Sequence, residues 1–173
     1  MRLPAQSLRA ALALTLLSLT LPAAAATLEF EAGRSYSNGH GTNAAFLEGV
    51  FDAQPIGGSR FSWAPDVSLG WIQGRDLYDH HIEGKNTRDN AFLAAAGVRV
   101  QYGEQGDWYR HLFFSFQPTY NTGRTPALSG PLEFASTFGW QGERFSLRLR
   151  HISNAGIHEP NRGESMVLVG IRF

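Results

Sequence analysis

Eight stretches of this chain alternate apolar residues with small or polar ones at a period of two, which is typical of β-strands whose two faces have different surroundings. In the clearest stretch, Phe61–Ile72, the apolar residues take odd positions while Ser62, Asp66 and Ser68 take even ones. The predicted strands are Thr27–Arg34, Ala44–Ala53, Phe61–Ile72, Asn90–Tyr102, Trp108–Tyr120, Pro131–Gln141, Arg144–Ser153 and Glu164–Phe173. An even number of strands of about ten residues predicts an all-β fold, an eight-stranded antiparallel transmembrane β-barrel of the outer-membrane type.

A soluble barrel that binds lipid inside would show the same alternation with its apolar face turned inward. The connections favour a membrane barrel, because 54–60, 103–107 and 141–143 are short, whereas 35–43, 73–89, 121–130 and 154–163 are longer or more polar. Short turns on the periplasmic side and longer loops outside are typical of such barrels. Trp63, Trp108 and Trp140 fall beside the short turns, as interface residues do. The terminal Phe173 also resembles the C-terminal signature of bacterial outer-membrane proteins.

The N-terminal segment predicts export. Arg2 and Arg9 precede or flank an apolar run from Ala10 to Leu21, and alanines at 23–26 offer cleavage sites. This is the pattern of a signal peptide, and the run is short for a membrane-spanning helix, which is the weaker alternative. We therefore expect residues 1–25 to be a signal peptide and residues 26–173 to form the barrel domain.

Composition narrows the possible partners. Loss of Arg2 and Arg9 from 15 basic residues, against 15 acidic ones, leaves a net charge of −2, so no basic surface for nucleic acid is predicted. The chain has no cysteine, which leaves neither disulfides nor thiol chemistry. The expected surroundings are outer-membrane lipid, and the sequence is compatible with a monomer or a homodimer.

The candidate chemistry lies near the C-terminus. His151 and Ser153 are two apart on the seventh predicted strand, so they share a face and lie roughly 6.6 Å apart along it. Their odd positions continue the row of Phe145, Leu147 and Leu149, which is the row expected to face lipid. Polar groups facing lipid require partners or a function.

A serine beside a histidine suggests a nucleophile and its general base. Glu164 opens the next strand and could orient the histidine, although its even position points inward unless a bulge turns it outward. Asn154, with the backbone N–H groups from Asn154 to Gly156, is the candidate oxyanion and substrate-binding group. On pattern alone, polar residues that simply cap a hairpin remain an equal alternative.

The run His151-x-Ser153-Asn154-Ala-Gly156-Ile, followed by Pro160-Asn161-x-Gly163-Glu164, resembles the signature of the PagL-type lipid A 3-O-deacylases, which are eight-stranded outer-membrane barrels. The resemblance implies a serine ester hydrolase that removes the 3-hydroxyacyl chain ester-linked at the 3-position of lipid A, the membrane anchor of lipopolysaccharide. It assigns His151 as the base, Ser153 as the nucleophile, Asn154 to oxyanion binding and Glu164 as the acidic member of a catalytic triad. It also implies an active site facing the outer leaflet, with no cofactor and no metal.

Several alternatives stay open at this stage. A non-enzymatic structural or adhesive outer-membrane barrel fits the strand pattern equally well. His80 and His81 lie in a charged loop and could suggest a metal site, but solvated histidines are the simpler interpretation. Arg148, Arg150, Arg162 and Lys85 could meet the phosphates of lipid A, although Arg148 and Arg150 are expected to point inward and pair with acidic residues such as Glu29, Glu31 and Glu48.

Overall fold

The computed structural model describes residues 26–76, 89–104, 106–123 and 125–173. The predicted signal peptide, the His80–His81 pair and Lys85 lie outside these ranges. Eight long strands are present: β1 (Thr27–Ser37), β2 (His40–Val50), β3 (Phe61–Ile72), β4 (Ala91–Tyr102), β5 (Leu112–Asn121), β6 (Leu132–Gln141), β7 (Phe145–Ser153) and β8 (Glu164–Arg172). Each strand pairs antiparallel with its neighbours in the chain, and β1 pairs with β8, so the sheet closes on itself. The predicted fold is confirmed.

The first hairpin is tighter than the sequence predicted. The expected loop 35–43 is wrong, because β1 and β2 extend toward each other until only Asn38 and Gly39 connect them. Both residues have positive φ values, 49° and 77°, which suit the twist of a two-residue hairpin turn. The extension is possible because Ser35, Ser37 and Thr42 are small enough to continue the inward rows.

The fifth strand starts later than predicted. Residues Trp108–His111 form a 3₁₀ helix, and β5 begins at Leu112. His111, the last residue of this helix, is exposed, and its Nδ1 lies 2.7 Å from the backbone oxygen of Gln141. A two-residue strand, Gln54–Pro55, also pairs with β3 inside the connection between β2 and β3.

The outer wall of the barrel is apolar. Every long strand exposes large apolar side chains on its outward row: Leu28, Leu47, Leu69, Phe92, Phe114, Phe138, Leu149 and Val169. A continuous apolar surface of this kind is stable in a bilayer and not in water, so the alternation faces outward as predicted. Within the described residues, no helix is long and apolar enough to cross a membrane.

The middle of the barrel interior is filled by ion pairs. The Arg148 guanidinium lies 2.6 Å from Glu29, 2.6 Å from Glu31 and 2.7 Å from Glu48. Arg150 lies 2.6 Å from Glu48. All of these side chains are fully buried, so each charge depends on its partners for stabilisation. The inward pairing predicted for the two arginines is confirmed.

One end of the interior contains an apolar cluster, which the sequence did not predict. This long-loop end carries the connections 73–90, 122–131 and 154–163. The β5–β6 connection folds into the mouth there, with residues 125–130 buried and Ala127 and Leu128 0% and 1% exposed. The Ala127 backbone oxygen accepts a hydrogen bond from the Gly163 N–H at 3.0 Å. The inserted segment therefore supports the start of β8 from inside.

Candidate active site on the outer wall

A row of polar side chains crosses the outer wall near the long-loop end. Strand pairing aligns Ser136 on β6 with His151 on β7, His151 with Ser165 on β8, and Ser165 with Tyr36 on β1. The Nδ1 atom of His151 lies 2.9 Å from the Ser165 hydroxyl oxygen. His151 is therefore held from one side by its cross-strand neighbour, on the row that the sequence assigned to lipid.

The other edge of the His151 ring points toward the end of β7. A Cβ atom built on Gly163 would come 2.7 Å from His151 Cε1 and 3.0 Å from Nε2, so this edge lies against Gly163. Ile152 pairs with Glu164, and continuing this pairing by one residue sets Ser153 opposite Gly163. The Nε2 edge thus faces Gly163, which lies across from Ser153 on the neighbouring strand.

Ser153 is partly exposed at the end of β7, beside Phe134 of β6. Its hydroxyl makes no hydrogen bond to any other residue that the structure describes. The oxygen is therefore available to a substrate that arrives along the wall.

Glu164 does not lie on this surface. The pairing between β7 and β8 continues without interruption from Ile152–Glu164 to His151–Ser165, so the bulge needed to turn Glu164 outward is absent there. The Glu164 carboxylate is buried inside the barrel, where it accepts hydrogen bonds from Ser35 at 2.5 Å and from Arg75 at 2.9 Å. His151 and Ser153 follow each other on the outward row of β7, and the structure does not bring Glu164 to them.

Asn154 and Gly156 organise the β7–β8 connection. The buried Asn154 side chain donates to the His158 backbone oxygen at 2.7 Å and to Ser129 at 3.2 Å, and its oxygen accepts from the Gly156 N–H at 3.0 Å. The Asn154 N–H donates to Asn161 at 3.1 Å. The donors proposed for an oxyanion are therefore engaged within the loop, and among the three N–H groups only that of Ala155 has no hydrogen bond to a described residue.

An apolar groove of about 430 Å³ adjoins the polar row. The floor of the groove lies one row farther from the long loops than His151. It is formed by Phe114, Phe138, Leu149 and Val167, which align across four strands. His151 and Ser165 line its polar margin. The site therefore combines a reactive hydroxyl and imidazole with an apolar surface shaped to hold a hydrocarbon chain.

A second polar group on the wall was missed by the sequence analysis. Arg34 and Asn43, which are paired on β1 and β2, both face outward, and Gln73 follows them at the end of β3. The even position of Arg34, on the same row as Leu28 and Phe30, was the available signal. Among the residues described, no cluster of three or more His, Cys, Asp or Glu side chains is arranged to hold a metal.

The closed barrel with its apolar outer wall defines a transmembrane β-barrel of the outer-membrane type. Residues 58–173, more than half of the chain, match the family model for lipid A 3-O-deacylase (PagL). The chain belongs to this family.

The comparison with solved structures supports the same fold. The crystal structure of the outer membrane enzyme PagL aligns with a TM-score of 0.57 and 14% sequence identity, over 85% of this chain and 98% of that chain. At this identity the likeness shows a common fold. A search of curated proteins finds no match.

Proposed function

We propose that the protein is a lipid A 3-O-deacylase of the bacterial outer membrane that hydrolyses the ester-linked 3-hydroxyacyl chain at the 3-position of lipid A. The family match supports the substrate class and reaction. The observation that carries the proposal is the placement of His151 two residues before Ser153 on the outward row, with its Nδ1 held by Ser165 and its Nε2 edge against Gly163, across from Ser153. This pair lies on the lipid-facing wall, where a membrane lipid meets it directly.

In the proposed mechanism, His151 Nε2 removes the proton from the Ser153 hydroxyl as the oxygen attacks the ester carbonyl carbon. The tetrahedral intermediate then collapses, and the imidazolium returns the proton to the departing sugar oxygen. Water, activated by the same imidazole, hydrolyses the acyl-enzyme and releases the hydroxy fatty acid. The charge on the tetrahedral oxygen requires a donor, and the Ala155 N–H is our choice because its neighbours are engaged.

The residue that we propose to orient His151 is not Glu164, which the sequence suggested. We assign the orienting role to Ser165, because its hydroxyl contacts His151 Nδ1, and Nδ1–H donation to that oxygen leaves the Nε2 lone pair free for Ser153. Glu164 supports the site from inside instead. Its ion pair with Arg75 and its hydrogen bond from Ser35 keep it inward, and strand alternation then directs Ser165 outward.

The substrate fits the wall in one orientation. The acyl chain packs along the groove floor of Phe114, Phe138 and Leu149, and the ester extends past His151 at the polar margin to Ser153, two residues farther along β7. The sugar headgroup then lies toward the long-loop end. Since lipid A resides in the outer leaflet, we propose that this end faces the cell exterior and that residues 1–25 are removed on export.

Mass spectrometry of lipid A tests the proposal. Cells expressing the protein should lose one 3-hydroxyacyl chain from lipid A, and cells expressing Ser153→Ala should keep it. Ser59→Ala, at an exposed serine in the opposite turn, serves as the matched control and should behave as the unmodified protein. Chain loss that persists in Ser153→Ala would reject the nucleophile, and no loss with the unmodified protein would favour a non-enzymatic barrel.

A further inference from the structure

Arg34 is unusual among the charged residues of the wall. All acidic residues of the eight long strands are buried inside: Glu29, Glu31, Glu48, Asp66, Glu133 and Glu164. On the described strands, Arg34 is the only lysine or arginine on an outward row. A guanidinium facing lipid is costly unless it reaches the interface or meets an anion, so its position calls for a partner.

The Arg34 side chain is directed toward the long-loop end. The Arg34 backbone pairs with Val167 and Asn43. Its Nη2 atom, however, would lie 3.1 Å from a Cβ atom built on Gly41, which is one row nearer the long-loop end. Long basic side chains near a membrane interface extend in this way to bring their charge to polar surroundings. The guanidinium therefore lies at the height of the polar row that contains His151.

Two amides extend the polar surface around Arg34. Arg34 Nη1 donates to Asn43 Oδ1 at 2.6 Å, and Asn43 Nδ2 donates to Gln73 Oε1 at 2.8 Å. All three side chains are exposed. Asn43 fixes one arm of the guanidinium and carries no charge, so the positive charge of Arg34 is not neutralised by any residue that the structure describes.

The spacing to the reactive pair suits a lipid headgroup. Arg34 is two strands and two residues from His151, which places their Cα atoms roughly 12 Å apart from the strand spacing and rise. The Arg34 guanidinium lies beside Asn43 and Gly41 of β2, and His151 contacts Ser165 of β8, so Tyr36 and Ser165 form the surface between the two side chains on which a sugar could lie. The headgroup would be held at one side by Arg34 and presented to Ser153 at the other.

We propose that Arg34, positioned by Asn43 and Gln73, binds a phosphate on the sugar headgroup of the lipid substrate. Arginine offers several N–H donors in a planar fork that matches a phosphate, and the interaction is strengthened at the edge of a bilayer. The proposal rests on the proposed deacylase function. It adds a subsite that recognises the charge of the headgroup and is separate from the groove for the acyl chain.

The test compares lipid A carrying its phosphates with enzymatically dephosphorylated lipid A, both presented to the purified protein in the same mixed detergent micelles. Arg34→Ala should raise KM for the phosphorylated substrate about tenfold, leave kcat nearly unchanged, and have little effect on the dephosphorylated substrate. Arg34→Lys should fall between the two because it keeps charge without the fork. Arg144→Ala, at an exposed arginine of the opposite end, is the control and should match the unmodified protein.

A binding measurement separates the two proposals. Binding of each lipid A form is measured with Ser153→Ala, which does not consume substrate, with and without Arg34→Ala. Phosphate-dependent binding that disappears with Arg34→Ala supports the subsite even if the unmodified protein releases no acyl chain, in which case only the deacylase function fails. Equal effects of Arg34→Ala on both lipid forms, or an effect no larger than that of Arg144→Ala, overturn the subsite.

Discussion

Replacing Ser165 with alanine tests the central contact of the site. The substitution removes the hydroxyl 2.9 Å from His151 Nδ1 and leaves the backbone pairing intact. A hydrogen bond between neutral groups contributes about 1 kcal/mol net, and one to a charged group about 1.5–3 kcal/mol. Because the proposed mechanism makes His151 an imidazolium only as the reaction proceeds, the loss specific to the transition state is about 0.5–2 kcal/mol, which corresponds to a roughly two- to thirtyfold lower kcat.

The size of this effect distinguishes a hydroxyl from a carboxylate. In a Ser-His-Asp triad, neutralising the acidic member lowers kcat by about 10⁴-fold. The assay is release of hydroxy fatty acid from micellar lipid A, with kcat and KM determined separately. Ser136→Ala removes the hydroxyl on the other side of His151, which makes no hydrogen bond to it within the described structure, and should change kcat less. Ser165→Asp should shift the acidic limb of the pH–rate profile to higher pH, because a carboxylate stabilises the imidazolium.

The opposite pattern would contradict the role assigned to Ser165. If Ser165→Ala leaves kcat unchanged while Glu164→Gln lowers it a thousandfold in a barrel that remains folded, Glu164 and not Ser165 orients the histidine. A circular dichroism spectrum and the heat-dependent shift in gel mobility of each variant show whether the barrel is intact.

Three further predictions concern the frame of the site. Gly163→Ala should lower kcat with a normal fold, because the added Cβ would lie 2.7 Å from His151 Cε1 at a residue whose φ is 68°; an unchanged kcat would contradict the ring placement. Glu48→Ala should destabilise the barrel by about 3–5 kcal/mol in urea unfolding, because it removes a partner of the buried Arg148 and Arg150 guanidinium groups. Glu143→Ala, at an exposed glutamate, is the control and should change the stability little. Equal stabilities of the two variants would contradict the buried network. Leu149→Trp should partly fill the groove and favour shorter acyl chains in a competition between substrates of different chain length, and an unaltered preference would place the chain elsewhere.

Much of the fold follows from residue alternation alone. The bounds of β3 are those predicted, Phe61–Ile72, because its aromatic and branched residues alternate with small polar ones along its whole length. Alternation was less informative for β1 and β2, where glycine, alanine and serine occupy both faces. The Asn38–Gly39 pair was the better signal there, since this dipeptide favours a two-residue hairpin turn.

The sequence predicts which site residues face outward, but it does not predict which of them are neighbours across the strands. Parity alone indicates that His151, Ser153 and Ser165 face outward and that Glu164 faces inward, and the structure agrees for each. Which of the residues on β8 lies beside His151 depends on the pairing of the two strands across a long connection, which local sequence does not define. The inward partners of Glu164, Ser35 and Arg75, are distant in the chain and could not be found from spacing.

The buried end of the barrel shows another limit. Residues 125–130 read as an ordinary loop with proline and glycine, yet they are buried in the mouth, where Ala127 and Leu128 join one apolar cluster with Ile152 and Met166. Whether a loop folds inward depends on the space that eight strands leave at that end, which is a property of the closed sheet.

The location of His151 on the outer wall of the barrel, beside a groove that opens to the surrounding lipid, has a kinetic consequence. A substrate that already lies in the bilayer meets the serine by lateral diffusion, so the quantity that sets the rate is its mole fraction among the lipids around the barrel. Diluting the aqueous suspension should leave turnover unchanged, whereas adding inert lipid or detergent at constant total substrate should slow it. In this arrangement the membrane acts as the second wall of the active site, and its composition becomes part of the catalyst's specificity.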